Sequence, residues 1–401
     1  MNKKQPKLKL GIGVIGAGGR GWLSAHAHKP ETGVRITAAC DTNPKPLEKY
    51  RERYGNDVFC TADYRELLRR EDVGAVFVTS PDFLHEEHAI AALKAGKDVY
   101  LEKPMTITLK GCDRVLRTAA ELGRKLYVGH NMRHMRFVQQ MRELILDGAI
   151  GEVKAAWCRH FISYGGDAYF KDWHAERAKS TGLLLQKAAH DIDVIHWLCG
   201  GTTRQVVGQG GLVLYDKIKD RHPPSERGDA SWHDTNWPPL SQKGLNPIID
   251  VEDVSHVLMR LDNGVFATYQ QCHFTPDAWR NYTVIGTKGR IENISEGEVM
   301  LWHKRGWGDD CVKRFDARGT DGGHGGADPS IVAEFVRFVL KGGKTLTSPI
   351  AARESVATGY LATQSIRGGS RPKNVPPVDP AVAKYFIESN RVKSTCLDST
   401  R

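Results

Sequence analysis

The chain has 401 residues, of which 40% are hydrophobic and 26% are charged, and its formal net charge is +10. These values fit a two-domain globular protein with a sizeable core. No apolar run reaches the roughly 20 residues that span a bilayer, and the basic N-terminus lacks the features of a signal peptide. The positive charge is spread along the chain, which argues against nucleic-acid binding and suits an anionic ligand such as a dinucleotide.

The cysteines and histidines give no sign of a metal centre. The eight cysteines are scattered without CxxC pairs, so neither a disulfide framework nor a zinc cluster is indicated. His26 with His28, and His85 with His88, have helical spacings but lack further ligands nearby. We therefore expect no metal and a reducing, cytoplasmic setting.

In the first 130 residues, short apolar strands alternate with helices. This alternation predicts a parallel, doubly wound α/β sheet, that is, a nucleotide-binding Rossmann domain over residues 1–130. The predicted strands are 9–15, 34–40, 75–79, 98–101 and 126–129, and the predicted helices begin near Trp22 and cover 48–54, 63–70, 83–95 and 109–122.

The remaining chain predicts an α+β domain over residues 131–368, with a large, mostly antiparallel, open sheet. Its predicted strands are 152–161, 254–261, 265–272, 282–286 and 290–293, and its predicted helices are 137–147, 182–198, 331–340 and 351–367. Residues 215–247 form a long polar segment typical of a lid, an interface arm or disorder, although Trp232 and Trp237 argue against full disorder. Residues 369–401 are expected to form a loose, polar, basic tail.

A glycine fingerprint, G-x-G-x-x-G, follows the first strand in two overlapping registers. The register Gly11/Gly13/Gly16 would place glycines inside the strand, so we prefer Gly16, Gly18 and Gly21. In that register the first glycine makes the tight turn, the second lets the backbone approach a pyrophosphate, and the third lets the helix pack on the strand. The helix N-terminus would stabilise the phosphate charge.

Asp41 ends the second strand, 20 residues after Gly21. A carboxylate there accepts hydrogen bonds from ribose hydroxyls and repels a 2′-phosphate. Because Thr42 and Asn43 follow, and not arginine, we expect NAD as the cofactor in preference to NADP.

Several ordered motifs beyond the fingerprint resemble one family. The chain is similar to the Gfo/Idh/MocA oxidoreductases, named for glucose–fructose oxidoreductase, inositol dehydrogenase and a rhizopine-catabolism protein, over at least residues 9–370. The motifs are Thr79-Ser80-Pro81-Asp82 with His85, Glu102-Lys103-Pro104, Val128-Gly129-His130-Asn131-Met132-Arg133, and the segment 144–153 with Gly148 and Gly151. One position departs from the family pattern, because Asp82 replaces its usual asparagine.

The resemblance implies NAD in the crevice of a Rossmann domain, with a sugar or polyol over the nicotinamide. It implies that Lys103 is catalytic, that Glu102 lies near the nicotinamide ribose, and that Pro104 follows a cis bond. It also implies a homodimer or homotetramer built through the open sheet. The residues assigned to the cofactor are Gly16, Gly18, Gly19, Arg20, Gly21, Asp41, Thr79, Ser80, Pro81, Asp82, His85, Glu102, Lys103 and Asn131.

A second family motif pairs an aspartate with a histidine four residues later on one helix face. Here His190 and Asp193 are retained, but Gln186 stands at the aspartate position and Lys187 follows it. We hypothesise that His190 and Lys103 share the proton transfer, because an imidazole suits that task. Asp193 could orient His190. The residues expected to reach the substrate are Arg133, Trp173, His174, Gln186, Lys187, Asp193 and His324.

These features predict a dehydrogenase that moves a hydride between nicotinamide C4 and a hydroxyl-bearing ring carbon of a sugar, sugar derivative or cyclitol. Two alternatives stay open. One is an enzyme that uses NAD transiently, oxidising a sugar hydroxyl so that a glycosidic bond is eliminated without net redox change, which the altered Gln186-Lys187 pair permits. The other is a non-catalytic sugar- or NAD-sensing regulator, against which the retained Lys103 and His190 argue.

Overall fold

Short apolar segments build a parallel sheet at the start of the chain in the computed structural model, which describes residues 6–233, 235–306 and 308–389. The strands are β1 (Leu10–Ile15), β2 (Val34–Cys40), β3 (Phe59–Thr61), β4 (Ala75–Val78), β5 (Asp98–Leu101) and β6 (Leu126–Val128), and the helices are α1 (Pro44–Tyr54), α2 (Tyr64–Leu68), α3 (His85–Lys94) and α4 (Leu109–Glu121). The strands pair in the order β3-β2-β1-β4-β5-β6, all in parallel. The order turns back between β1 and β4, which opens a crevice at their carboxyl ends.

Burial on both faces explains why these strands are short and apolar. Every residue of β1 and of β4 is buried, as expected for a parallel sheet covered by helices on each side. The predicted doubly wound Rossmann fold is therefore confirmed. β3 was not predicted, because its three residues carry too little apolar pattern to stand out from a loop.

A second, nine-stranded sheet follows. Its order is β14-β13-β12-β11-β7-β10-β9-β8-β15, in which β7 and β10 pair in parallel and the other neighbours are antiparallel. Its strands are β7 (Val153–Phe161), β8 (Thr203–Gly211), β9 (Val254–Leu261), β10 (Phe266–Cys272), β11 (Trp279–Gly286), β12 (Arg290–Ser295), β13 (Glu298–Trp302), β14 (Val312–Asp316) and β15 (Lys373–Asn374). The helices of this region are α5 (Arg136–Leu146), α6 (Gly165–Ala168), α7 (Arg177–Ser180), α8 (Leu183–Cys199), α9 (Ala327–Lys341), α10 (Pro349–Arg367) and α11 (Pro380–Ser389). The predicted large, mostly antiparallel sheet is confirmed.

Within the described residues, the helices of the chain cover one face of this sheet and leave the other open. Residues alternate along β9, so that Val257, Met259 and Leu261 join the core formed with α5 and α8, while Leu258 is 61% exposed. Phe266 on β10 is 64% exposed on the same open face. The open sheet expected from the sequence thus presents apolar side chains to the outside.

The C-terminal helices return to the first sheet. Phe335 of α9 packs edge-on against Phe77 and Tyr100, with ring centroids 5.2 and 5.5 Å apart. α10 contributes side chains to the cores beneath both sheets. The expected loose tail is wrong for residues 380–389, because α11 buries Val382 and Phe386 in the core that contains α4. Residues 390–401 lie outside the described chain.

Two further segments differ from the sequence predictions. The helix expected from about Trp22 is a 3₁₀ helix, Gly19–Ala27, whose first turn contains two glycines and so favours α-helix poorly. The long segment 215–247 is mostly irregular but anchored, since the carboxylate of Asp167 accepts hydrogen bonds from Thr235 and Asn236. None of the described helices combines the length and apolarity of a membrane span.

Candidate active site

The glycine loop between β1 and the 3₁₀ helix is shaped by close backbone contacts. Gly16 has a φ of +88°, and a Cβ there would lie 2.5 Å from the backbone nitrogen of Ser80. A Cβ on Gly21 would lie 2.3 Å from the carbonyl oxygen of Gly16. In contrast, nothing lies within 4 Å of a Cβ built on Gly19. The loop is therefore tight on its protein side and open on the other side, as a pyrophosphate cradle requires.

Asp41 closes one end of this cradle. Its Oδ2 accepts a hydrogen bond from the backbone nitrogen of Gly18 at 2.9 Å, and its Oδ1 accepts one from that of Asn43 at 2.8 Å. These contacts fix the carboxylate at the end of β2 while leaving lone pairs on both oxygens for ribose hydroxyls. The position matches the one predicted for the adenosine ribose.

Glu102 links the glycine loop to Lys103. Its Oε1 accepts a hydrogen bond from Arg20 Nε at 2.8 Å, and its Oε2 accepts one from the Lys103 backbone nitrogen at 2.7 Å. The Lys103–Pro104 peptide bond is cis. The cofactor loop and the lysine are thus held in one arrangement by a single buried carboxylate.

Asp328 at the start of α9, which the sequence analysis did not single out, completes this cluster. It accepts two hydrogen bonds from Arg20, both at 2.7 Å, one from Asn131 at 3.1 Å and one from His324 at 3.0 Å. Burial alone would raise the pKa of Asp328, but the hydrogen bonds from Arg20 and His324 hold it well below its usual range. The predicted substrate residue His324 is half-exposed here and belongs to the Arg20 cluster. The sequence signal that could have identified Asp328 was a carboxylate in the first turn of a helix that follows a glycine-rich segment.

The turn after β4 is tied to the lysine loop by His85. Its two ring nitrogens lie 2.8 Å from the Ser80 carbonyl oxygen and 2.7 Å from that of Pro104. A carbonyl oxygen can only accept, so a ring nitrogen that carries a proton donates to it. Asp82 is buried nearby, its Oδ2 has no hydrogen-bond partner within the described chain, and burial raises its pKa. Thr79 Oγ1 donates to the Gly16 carbonyl at 2.8 Å and so braces the glycine loop.

Lys103 and two residues of α8 meet beside this turn. Burial and the neighbouring Lys187 ammonium lower the pKa of Lys103 to about 8. Burial and the Arg280 charge lower the pKa of Lys187 to about 7. Burial and the Lys103 charge hold the pKa of His190 well below 6.5, so its imidazole is neutral. The helix brings Gln186, Lys187 and His190 to one side of the site, as their spacing predicts.

Beneath Lys187 and His190 lies a polar network that the sequence analysis missed. Asp191 is fully buried and lies 2.9 Å from Arg280 Nε. It accepts hydrogen bonds of 2.9 Å from His160 and from Tyr269, and a further one from Tyr282. Burial alone would raise the pKa of Asp191, but the Arg280 charge and the hydrogen bonds from His160 and Tyr282 hold it well below its usual range. A carboxylate on a strongly apolar helix was the signal for this network, because buried charges are paired.

The structure does not bring Arg133 and Asp193 into the substrate space. Arg133 is buried, and its guanidinium donates twice to Asp193, both at 2.7 Å, and once to the Leu346 carbonyl at 2.8 Å. Asp193 therefore does not orient His190 directly, and instead lies 3.3 Å from His130. The His130 ring in turn lies edge-on to that of His190, with centroids 6.2 Å apart.

Aromatic rings line the outer side of the site. Trp173 stacks on His174 with centroids 3.7 Å apart, and His174 packs edge-on to Tyr169 at 5.2 Å. Trp232, from the long segment 215–247, packs edge-on to Tyr169 at 5.2 Å and is 54% exposed. Tyr164 and Trp232 were not expected in the site, because their partners lie far away in the sequence.

This arrangement defines a two-domain oxidoreductase with a dinucleotide crevice, and the glycine cradle, Asp41 and Glu102 fit NAD. Across residues 6–233, 235–306 and 308–389, no three histidine, cysteine, aspartate or glutamate side chains converge to hold a metal ion. Residues 10–130 match the model for the oxidoreductase family, NAD-binding Rossmann fold, and residues 142–375 match the model for the C-terminal alpha/beta domain of the same family. The chain belongs to the Gfo/Idh/MocA oxidoreductase family, and its NAD-binding Rossmann domain and dehydrogenase class are confirmed.

Curated relatives are similar over different lengths. YteT of Bacillus subtilis (strain 168), an oxidoreductase by name, is 27% identical over 84% of this chain and 90% of its own length. The 2,7-anhydro-N-acetylneuraminate hydratase of Mediterraneibacter gnavus is 33% identical over 51% of this chain and 54% of its own. The inositol 2-dehydrogenase/D-chiro-inositol 3-dehydrogenase of Shouchella clausii is 31% identical over 54% of this chain and 58% of its own. The chain thus spans only about half the length of the latter two relatives.

Among solved structures, levoglucosan dehydrogenase in complex with NADH and L-sorbose is similar, with a TM-score of 0.75 and 18% identity. The match covers 92% of this chain and 100% of that chain. At this identity the similarity establishes the fold.

Proposed function

We propose that this chain is an NAD-dependent dehydrogenase that oxidises a hydroxyl-bearing ring carbon of a sugar, sugar derivative or cyclitol. The observation that carries the proposal is that Glu102 ties Lys103, which follows β5, to the glycine cradle, while His190 of α8 lies close enough for the Lys103 charge to help lower its pKa after burial. Bound NAD would supply the hydride acceptor. The protein's part is to hold the alcohol and remove its proton.

Lys103 is the better proton acceptor of the two. Its pKa of about 8 keeps part of the lysine population neutral near physiological pH, and a neutral amine can accept the hydroxyl proton. His190 is neutral and keeps one ring N–H, which can donate a hydrogen bond to the oxygen of the same hydroxyl and orient it while the O–H donates to Lys103. The carboxylate of Glu102 fixes the Lys103 backbone, which limits the directions in which the amine can point.

The surroundings favour a polyhydroxylated ring as the ligand. Gln186 is 5% exposed, and its Oε1 has no hydrogen-bond partner in the parts of the chain that are described. A buried amide oxygen without a partner is unfavourable, and a substrate hydroxyl would satisfy it. The exposed ring of Trp232 next to Tyr169 offers an apolar surface for the face of a sugar.

The test combines a substrate panel with one substitution. Purified protein with NAD or NADP is offered inositols, aldoses and glycosides while NADH absorbance is followed. Lys103→Met should reduce kcat by about 10²–10⁴-fold while NAD still binds, whereas Lys94→Met, an exposed lysine on α3, should not change kcat. Near-normal turnover by the Lys103 variant would reject the assignment.

Transient use of NAD remains the second candidate. It is favoured by one relative whose named reaction is a hydratase reaction and not a net oxidation, and by Gln186-Lys187 at the position of the family aspartate. Tightly retained NAD, with a glycoside consumed and no NADH accumulating, would support this candidate over the dehydrogenase.

We also infer that copies of the chain pair through the open face of the second sheet. The exposed apolar residues Leu258 and Phe266 support this interface, because large apolar side chains grouped on a sheet face commonly mark an association surface. The division of the chain into domains at residues 130 and 131 likewise remains a proposal.

A further inference from the structure

The substrate side of the site carries positive charge that the protein does not neutralise. Lys187 is 8% exposed, and its Nζ lies 3.2 Å from Tyr164 Oη and over the rings of Tyr164 and Tyr169, at 5.4 and 5.0 Å from their centroids. These contacts orient the ammonium group but carry no formal negative charge. Within the described residues, no carboxylate lies within ion-pair distance of Lys187 or of Lys103.

The nearby carboxylates are already committed to other partners. Asp191 is shared by Arg280, His160, Tyr269 and Tyr282. Asp193 is held by Arg133, and Glu102 is held by Arg20 and the Lys103 backbone. Asp191 raises the pKa of Lys187 and Glu102 that of Lys103, but burial and the neighbouring cations outweigh these charges, so both pKa values are lowered.

Among the described residues, Asp82 lies near Lys103 without an ion-pair partner, and its Oδ2 accepts no hydrogen bond. Burial favours its neutral form, so it offsets little of the lysine charge. A buried ammonium without a counter-ion is costly for a protein, and an anionic ligand would offset that cost.

The Lys187 ammonium lies near the groups proposed to act on the hydroxyl, His190 and Lys103. Gln186 and Lys187 lie four and three residues before His190 on α8, so each neighbours His190 on the helix surface, and the Gln186 Oε1 has no partner among the described residues. After burial, the Lys187 charge is the largest contribution that lowers the pKa of Lys103, so the two amines lie close enough for their charges to interact. A ligand that pairs with Lys187, Gln186, His190 and Lys103 needs one anionic group and at least two hydroxyls.

We propose that the site binds a sugar acid, a ring carrying a carboxylate, with the carboxylate on Lys187 and the reacting hydroxyl facing Lys103 and His190. This proposal rests on the function proposed above and narrows its substrate class. The carboxylate would accept hydrogen bonds from the ammonium and from Tyr164 Oη, which lies 3.2 Å from Lys187 Nζ. Gln186 would accept a hydrogen bond from a further ring hydroxyl.

The experiment compares hexuronates with their methyl esters, which keep the ring hydroxyls but lose the charge. We expect wild-type kcat/KM for a preferred uronate to exceed that for its ester by at least about 10-fold, mainly through KM. In Lys187→Gln this ratio should collapse towards one, while Lys187→Arg should retain most of it. The control Lys217→Gln removes an exposed lysine outside the site and should keep the wild-type ratio.

A binding readout keeps this test separate from that of the oxidoreductase function. Uronate and ester are titrated by calorimetry into NAD-loaded wild type and Lys187→Gln, at low and high salt. Charge-dependent uronate binding that Lys187→Gln loses supports the proposal even if no NADH forms, in which case only the dehydrogenase function fails. Equal binding or turnover of acid and ester by the wild type overturns the sugar-acid proposal and leaves the dehydrogenase intact. Discrimination that survives in Lys187→Gln, or no charge-dependent binding with any hexuronate, also overturns it.

Discussion

The two terminal nitrogens of Arg20 donate hydrogen bonds of 2.7 Å to the two carboxylate oxygens of Asp328, although the residues lie 308 positions apart. The pair joins the glycine loop to the start of α9. Because Arg20 also holds Glu102, this contact positions the lysine loop from a distance.

Replacing Asp328 by asparagine should loosen this arrangement. We expect Asp328→Asn to lower the free energy of unfolding by about 1–2 kcal/mol, a modest value because Arg20 is one-third exposed. It should also weaken NAD binding, measured by fluorescence titration. Asp321→Asn, an exposed acid in the same glycine-rich segment, is the matched control. Unchanged stability and NAD affinity in Asp328→Asn would show that the pair is dispensable.

The pH dependence of oxidation should report the Lys103 amine. Since its pKa of about 8 lies below the ordinary 10.5, the neutral base forms as pH rises through 8. We expect kcat/KM for a neutral substrate to rise about tenfold per pH unit below 8 and to level off above it. Burial is the main cause of this lowered pKa; the Lys187 and Arg20 charges lower it further, and the Asp82 and Glu102 charges raise it. If kcat/KM of Lys103→Met still rises with pH below 8, the rise comes from another titrating group.

Cofactor selectivity should depend on the Asp41 carboxylate. We expect Asp41→Ser to reduce NAD affinity by about 10-fold and to improve NADP affinity, because ribose hydroxyls lose an acceptor and a 2′-phosphate loses a repelling charge. Equilibrium titrations with both cofactors measure the ratio. Asp57→Ser, an exposed aspartate after α1, should leave it unchanged. A preserved NAD preference in Asp41→Ser would place the determinant elsewhere.

Stability should fall on mild acidification because of buried His196. Its Nε2 accepts a hydrogen bond from the Thr203 backbone nitrogen at 3.2 Å, and burial lowers its pKa to about 4. The unfolded chain, with an ordinary histidine pKa of 6.5, binds the proton first, so this stability is present above 6.5 and is lost as pH falls towards 4. We expect about 1–2 kcal/mol of loss between pH 7 and pH 5 from this residue alone.

Urea unfolding of His196→Gln at the two pH values measures that contribution. The variant should show a smaller difference between pH 7 and pH 5 than the wild type, while the exposed His26→Gln should match the wild type. An identical pH dependence in His196→Gln would contradict the assignment.

The proposed interface between copies can be tested on the open sheet. We expect Leu258→Asp combined with Phe266→Asp to reduce the particle mass measured by light scattering, because both side chains lie on the exposed face of neighbouring strands. Leu146→Asp, 68% exposed at the end of α5, should leave the mass unchanged. A double variant with wild-type mass would exclude this face as the interface.

The sequence predicted those parts of the fold that depend on short, local residue patterns. The bounds of β2, β5 and β9 agree with the predicted strands because each is a continuous apolar or alternating run between turns. β8 was missed because Gly208, Gly210 and Gly211 weaken its strand pattern. The structure explains two of them, since a Cβ on Gly208 would lie 2.7 Å from the Ala362 carbonyl and one on Gly210 would lie 2.4 Å from the Val254 carbonyl.

The candidate site divides in the same way. Glu102, Lys103 and the glycine loop follow from short motifs, because a strand end and the turn after it fix their positions. The pairing of Arg20 with Asp328, and of Asp191 with Arg280, depends on contacts between distant segments that no local pattern records. For the same reason Arg133 and Asp193 were expected at the substrate, whereas they bind each other.

The packing of α9 on the first sheet has consequences for expressing the NAD-binding half alone and for the folding of the chain. Phe335 fills the space beside Phe77 and Tyr100, and the Lys125 ammonium donates to the α9 carbonyls of Phe338 and Val339 at 3.0 and 2.6 Å. A fragment ending near residue 130 would lack Phe335 and expose part of Phe77 and Tyr100, so we expect the NAD-binding half to be less stable alone than in the whole chain. During synthesis it must remain incomplete until the last quarter of the chain has left the ribosome.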